Sequence, residues 1–427
     1  MTVVSLPNVP ALADVVLSAT DEQQILLDTA ERFHQQLWDI NKTIHDNPEL
    51  CYKEFKAHDA ITSFLEANGL ETTNHAYGLD TSFVAEYGQG GRLVTLCAEY
   101  DALPGIGHGC GHNLIATAAI ASFLGVVHLI KSANIPGRVR LLGCPAEEGG
   151  GGKIKLIQAG AFHGVDAALM LHPIPPVDRD HPDTTGLFDG ISYGTCLAGS
   201  RFRATFKGKA AHAGAMPWLG VNALDAATLA YTAVGMLRQQ IMPHDRINII
   251  IKEGGTSSNV ISDRSVIDAC TRSATLKEMV LLQDRVVKCF EGAAIATGCD
   301  VVVEEEGEAY ADLRPNETLC TEFTEEMRRV GKTYYCDLGK KDVGGYGTDM
   351  GNVSYECPSF HGTFVIPLRD GENIHGPGFT RAGGTEEAFN TALEAANGMA
   401  ATAWKVLRDQ EFASKVMEKF EADKALR

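Results

Sequence analysis

Several features are missing from this chain, and each absence narrows its role. No apolar run approaches the roughly 20 residues of a membrane span, so the sequence gives no expectation of a bilayer partner. Basic charge is scarce: 37 Lys and Arg stand against 55 Asp and Glu, a formal charge of −18. That argues against nucleic acid and anionic membranes, because phosphate binding needs clustered Lys and Arg. The N-terminus MTVVSLPNVPALADVVLSATDEQQ lacks a basic start and is broken at Pro7 and Pro10. No signal peptide is read there, and a cytoplasmic location is expected. The 11 cysteines are odd in number and have no framework spacing. Cys51, Cys97, Cys144, Cys196, Cys270, Cys289, Cys299, Cys320, Cys336 and Cys357 are therefore expected to be buried thiols rather than disulfides. No internal repeat and no low-complexity segment is seen.

What is present suits a soluble globular protein: 44% apolar and 22% charged residues over 427 positions. That length exceeds one ordinary core and predicts two domains, one of which can interrupt the other. Up to about residue 197, helical spacing at 21–47, 56–69, 114–131 and 153–161 alternates with apolar strands at 81–87, 92–97, 139–143 and 167–171. This order implies an α/β core with a largely parallel sheet flanked by helices, a class that carries its sites at strand ends. From 200 to 308 the pattern becomes βαββαβ, a ferredoxin-like unit. In it Phe202, Ala204 and Phe206 should share one face, and Ala223, Leu224, Ala227, Leu229, Ala230, Ala233 and Leu237 should point inward. The chain then returns to a helix at 315–331, the loop VGGYGTDMGNVS, a strand at 359–365 and a helix near 384–407, with 408–427 a frayed or surface helix. The expected division is a discontinuous domain, 1–197 with 309–427, interrupted by 198–308.

The richest chemistry lies in AEYDALPGIGHGCGHN, 98–113, which presents Glu99, Asp101, His108, Cys110 and His112 in a glycine-rich loop. Glycines let the backbone fold these groups toward one point, and Cys with His suits zinc-like metals. In an extended segment Cys110 and His112 would project to the same side. Glu147 and Glu148 follow an apolar strand and precede four glycines. Paired carboxylates there are costly to desolvate without a cation. Neighbouring side chains diverge, so one could bind a metal and the other could face a water and act as general base. Two adjacent acids alone read as a solvated acidic turn, but the glycines on one side and the apolar strand on the other favour the functional reading. His172, ending ALMLHP, His375, in ENIHGPGF, and His212, in KAAHAGAMPW, read individually as ordinary histidines. The remaining histidines, His181 among them, have no comparable context.

Taken together, AEYDALPGIGHGCGHN, PAEEGGGGK, LHP, KAAHAGAMPWLGVNALDA, GGTSSNVISD, TDMGNVS and HGPGF are similar to the motifs of a known family, in its order, over about 35–405. The chain resembles the dinuclear-metal amidohydrolases and peptidases related to carboxypeptidase G and aminoacylase. Within them it is nearest the auxin-conjugate amidohydrolases, p-aminobenzoyl-glutamate hydrolase and β-alanyl-lysine-type dipeptidases. The resemblance implies that Cys110, His112, Glu148, His172 and His375 bind two divalent ions, with zinc the default and manganese or cobalt alternatives. Glu147 would be general base for a metal-bound hydroxide and then acid toward the leaving amine, and Asp101 would orient a ligand. Glu99 stands where other members have a ligand histidine. The interrupting segment would be a lid and dimerisation domain whose His212 reaches the partner subunit's site. Asn259 and Arg272 would grip the substrate carboxylate, and Gly351 and Asn352 would line the pocket. The implied substrate is an N-acyl amino acid or dipeptide with a free carboxylate, and the implied assembly is a homodimer.

Three other readings stay open on the residues alone. Cys110 could be a nucleophile with His112 or His108 as base. The protein could bind amides through a metal without cleaving them. The same site could also run amide synthesis.

Overall fold

The structure, a computed structural model, describes residues 17–176, 188–339, 343–369 and 371–427. The N-terminal stretch 1–16 and His181 lie outside them. The first half is built from helix α1 (Ala19–Asp46), α2 (Phe55–Ala67), strands β1 (Thr72–Asn74), β2 (Phe83–Gln89) and β3 (Leu93–Glu99), α3 (His112–Ala133), β4 (Gly137–Cys144), α4 (Gly152–Gln158) and β5 (Ala167–Ile174). The middle runs β6 (Ala198–Lys207), α5 (Ala223–Leu237), β7 (Arg246–Glu253), β8 (Arg264–Ser273), α6 (Leu276–Thr297) and β9 (Asp300–Glu305). The last part contains α7 (Glu317–Arg329), α8 (Met350–Glu356), β10 (Ser359–Val365), α9 (Pro377–Gly383), α10 (Glu386–Arg408) and α11 (Gln410–Lys424).

The six-stranded sheet has the order β1-β2-β4-β3-β5-β10. β4, β3, β5 and β10 are mutually parallel, while β1 and β2 add an antiparallel edge. Its strands are apolar on both faces because both are covered. Val94, Leu96 and Ala98 of β3 pack in one core with α1, α3, α7 and α10. Leu93 and Cys97 of the same strand pack on the other side with Leu156 of α4 and with Met350 and Val353 of α8. With four strands parallel, their C-terminal ends fall at one edge, where the loops carrying Glu99, Asp101, Glu147 and Glu148 emerge.

The second sheet has the order β9-β6-β8-β7 and is wholly antiparallel, as the βαββαβ reading requires. Phe202, Ala204 and Phe206 do share its buried face, and α5 and α6 close over it. On α5 the inward residues are Ala223, Ala226, Ala227, Ala230 and Val234, whereas Leu229 is 41% exposed, contrary to the helical-face assignment.

Three further expectations need correction. α3 is long and apolar enough to cross a membrane, but most of it is buried between the sheet and helices α1 and α10. The TDMGNVS stretch is not loop throughout, since α8 begins at Met350. Of the two readings of the tail the surface helix holds: α11 is largely exposed but buries Phe412, Val416 and Phe420, and Asp423 accepts from Arg314 at 2.7 Å. All eleven cysteines are free, yet Cys51, Cys270, Cys289 and Cys336 are only half-buried.

Candidate metal centre

β3 ends at Glu99, and the chain turns through Asp101 and Cys110 into α3, whose first residue is His112. Cys110 and His112 are therefore not two positions of an extended segment. Gly111 between them is left-handed (φ 80°), and a Cβ there would stand 2.5 Å from Pro173 Cγ. Only glycine allows this turn, which brings thiol and imidazole together. His112 is fully buried, and its Nδ1 donates to Asp101 Oδ1 at 3.0 Å. The other Asp101 oxygen accepts the Glu148 N–H at 3.0 Å. Asp101 thus orients one imidazole and the acidic turn at once.

The acidic turn itself is held in an unusual backbone. Ala146, just before Glu147, has φ 60°, a strained value for alanine. Its N–H donates at 3.0 Å to Glu54, whose fully buried carboxylate also accepts from Thr81 Oγ1 at 2.7 Å. Burial pushes the Glu54 carboxyl up to about 7. Tyr310 Oη donates to the Glu147 carbonyl at 2.5 Å and accepts from Gly151 N–H at 3.1 Å. A Cβ on Gly152 would lie 1.7 Å from the Pro145 carbonyl oxygen, so the glycine run lets the turn double back on itself. Glu147 and Glu148 do not diverge fully: one oxygen of each approaches His112 Nε2, at 4.0 and 3.8 Å.

His172 lies inside β5, two residues before its end, and its Nδ1 donates to the Pro173 carbonyl at 2.8 Å. Its Nε2 then faces Cys110 Sγ at 3.4 Å. His375, itself left-handed (φ 62°), is anchored by its N–H to the Gly109 carbonyl at 2.8 Å and brings Nε2 to 3.8 Å from Glu148. Three donor groups result, each with ligand atoms within 4.8 Å of one another: Cys110–His112–His172, Cys110–Glu148–His375, and His112–Glu147–Glu148. His112 Nε2 and Glu148 Oε1 are buried with no hydrogen-bond partner among the described residues. Buried polar atoms left without a partner cost about 1–3 kcal/mol each, and a cation would satisfy them together. These residues fit a divalent metal centre of mixed N, O and S donors.

Burial dominates the electrostatics. It pushes the Cys110 thiol up, which is unfavourable for a free nucleophile and counts against the cysteine-hydrolase alternative. Burial, with His361 and His112 nearby, pushes His172 down to about 3 and so keeps it neutral and able to ligate. For His112 burial acts downward but is outweighed by Cys110 and Asp101, which raise it. Glu147 is raised by burial and by the neighbouring Glu99 and Asp349 carboxylates.

Beside the centre lies a cavity of about 210 Å³ lined by Glu147, Glu148, His375, Arg272, Glu308 and Tyr346, among others. Arg272 comes from β8, and its side chain makes no hydrogen bond or ion pair with any described residue. His212 and Asn259 are elsewhere: both are exposed, and their loops meet through an Ala213 N–H to Asn259 carbonyl bond of 3.0 Å. Asn259 and Arg272 therefore do not line one cavity within a single chain. Asn352 does not turn to a pocket either: it accepts from Ala311 N–H at 3.0 Å and donates to the Ala309 carbonyl at 3.1 Å. Gly351 likewise packs against Ala311. His108 is buried outside the donor groups, its ring centroid 6.3 Å from that of His45. Sequence reasoning missed Glu54, Lys153, Tyr310 and Asp349. The only hint was that Lys153 and Asp349 lie inside quoted motifs.

Carboxylates, imidazoles and a thiol gathered around unpartnered buried atoms at the ends of parallel strands define a metallohydrolase centre on an α/β sheet. Residues 95–381 match peptidase family M20/M25/M40, and the chain belongs to that family. It is similar to the Xaa-Arg dipeptidase of Mus musculus, at 37% identity over 94% of this chain and 91% of the relative. It is also similar to a p-aminobenzoyl-glutamate hydrolase polypeptide of Escherichia coli (strain K12), at 35% identity over 71% of this chain and 64% of the relative. Among solved structures, a dinuclear metal-binding peptidase of the M20 family from Bacillus subtilis shares the fold, with a TM-score of 0.67 and 22% identity over 88% of this chain and 99% of the other. The protein is a metal-dependent hydrolase of amide bonds, of the dipeptidase and amidohydrolase kind.

Proposed function

We propose that the protein cleaves dipeptides with a free C-terminal carboxylate, that Cys110, His112, Glu148, His172 and His375 hold two divalent ions, and that Glu147 moves the proton. The observation that carries this reading is the pair of unpartnered buried atoms, His112 Nε2 and Glu148 Oε1, 3.8 Å apart among further donors. Bound divalent metal supplies Lewis-acid polarisation of the scissile carbonyl and a more acidic water. Zinc is the leading ion, with manganese or cobalt the alternatives.

The chain's own groups divide the remaining work. The Glu147 carboxylate accepts no hydrogen bond from a described residue, so it is free to take a proton from the attacking water and return it to the leaving nitrogen. The Arg272 guanidinium opens on the same cavity and suits a carboxylate at two points. Glu308 and Arg201, each exposed and without an ion-pair partner among the described residues, also line that cavity, whereas Glu306 is already paired with Arg203. The similarity to Xaa-Arg dipeptidases favours substrates whose C-terminal residue is basic.

Segment 198–308 acts in this reading as a lid through which two copies associate. Trp218 (75% exposed) and Met236 (72%) are apolar and unprotected, and β7 is an open sheet edge. His212 Nδ1 accepts N–H bonds from Gly214 and Ala215 at 3.2 and 3.1 Å, which leaves its proton on Nε2. From a partner subunit that N–H can stabilise a developing oxyanion, with Asn259 beside it. We assign the protein to the cytoplasm. The deciding experiment is a panel of Xaa-Arg, Xaa-Lys and Xaa-Orn dipeptides, neutral dipeptides and N-acetyl amino acids, assayed after chelation and after adding zinc, manganese or cobalt. Metal-restored cleavage with kcat/KM highest for the basic dipeptides is expected; equal rates on neutral dipeptides would remove the basic preference.

A further inference from the structure

The metal centre does not account for a fully buried lysine. Lys153 is fully buried, and its ammonium donates to Glu99 and, at 2.5 Å, to Asp349 Oδ1. Its backbone N–H donates to the second Asp349 oxygen at 2.9 Å. Glu99 and Asp349 are also fully buried, and no other Lys or Arg pairs with either among the described residues. The position follows from the glycine run. Gly152 folds tight against Pro145, so the first turn of α4 lies under the Glu147–Glu148 turn.

Glu99, Glu147 and Asp349 each offer an oxygen, and the three atoms lie within 4.8 Å of one another. Three buried carboxylates so close together would take up a cation from solution if none were provided. We propose that Lys153 is that cation in covalent form: a positioning residue whose ammonium fills the Glu99–Glu147–Asp349 trio, excludes an ion from it, and leaves Glu147 free for proton transfer. A lysine at this place cannot be lost, exchanged or chelated. It therefore confines exchangeable metal to the donors on the Cys110 side. Glu99 completes the arrangement. One of its oxygens is held by Lys153, and the other is unpartnered, 3.6 Å from His112 Nε2. The trio and the metal donors are thus neighbouring acidic wells, one closed by a side chain and one open to ions.

The last part of this assignment rests on Glu147 carrying the proton, so the test reads metal content as well as rate. Wild type, K153M and the charge-balanced K153M/D349N are loaded with zinc, desalted and analysed for metal per chain by mass spectrometry. K153M should hold one ion more than wild type and lose about 10- to 100-fold in kcat with KM nearly unchanged. The charge-balanced variant should return to the wild-type ion count. If K153M folds only with divalent ions in the buffer, and not with potassium at equal ionic strength, the same conclusion follows. A folded K153M with the wild-type ion count overturns the proposal, whatever E147Q does to turnover. So does rescue of its folding by potassium.

Discussion

The floor of the candidate site and the loop bearing His212, in the proposed lid, are made on opposite plans. On the floor, Asp101, His112, Lys153 and Asp349 are buried, and each is held by another buried side chain, from 11 to 196 residues away. On the lid, His212 and Asn259 are exposed and hydrogen-bonded within neighbouring loops of the same segment. A buried polar group is fixed by the penalty of leaving it unpaired, so the floor is organised before substrate arrives. An exposed one has no such restraint and becomes definite only on meeting another surface. The floor needs metal and substrate; the lid, on the reading above, also needs a second chain.

The largest blow to this contrast is E147Q. It should lower kcat about 10²- to 10⁴-fold while metal content per chain stays at the wild-type value. Near-normal turnover would take Glu147 out of the mechanism. The next test asks whether the lid truly works across subunits. E147Q and H212A are each expected to be poor, yet mixed and allowed to exchange chains they should recover about a quarter of wild-type activity, since half the dimers would carry one intact composite site. No recovery would place His212 in its own chain's site or outside the chemistry.

A smaller effect is expected at the rim, where floor and lid share the cavity. R272M should raise KM about 10- to 100-fold with kcat less affected, as expected for losing a charged hydrogen bond worth about 1.5–3 kcal/mol. An unchanged KM would leave the substrate carboxylate to other groups.

The smallest and subtlest effect concerns the floor's support. Burial raises Glu54 from 4.5 to about 7, so between those values the folded protein binds more protons there than the unfolded chain. The stability this contributes is complete below pH 4.5 and is lost as pH rises through 7, amounting to about 3 kcal/mol. Urea unfolding of E54Q from pH 5 to pH 8 should therefore show a flatter stability profile than wild type. Parallel profiles would mean that Glu54 stays ionised throughout.

Much of the site was legible because its chemistry is local in sequence. Cys110 and His112 flank one glycine, Glu147 and Glu148 precede a glycine run, and His172 sits near a strand end. The βαββαβ order of the lid was equally plain from alternation and helical spacing. Other parts were hidden for a physical reason. Lys153 meets Glu99 across 54 residues and Asp349 across 196, and in the sequence each reads as an ordinary charged residue. The length and apolarity of α3 say nothing about whether protein or lipid surrounds it; α1 and α10 answer that. Leu229 looked inward by helical phase, but the short Ala226 and Val234 take that face.

The sequence by itself determined the donor inventory, the turns that only glycine permits and the family, because these depend on residue types at short spacing. The tertiary structure alone decided which charges are buried together, which imidazole nitrogen is anchored and which is left open, and that Arg272 shares a cavity with Glu147 while His212 and Asn259 do not. Those outcomes depend on desolvation, and desolvation is set by what the rest of the chain places overhead.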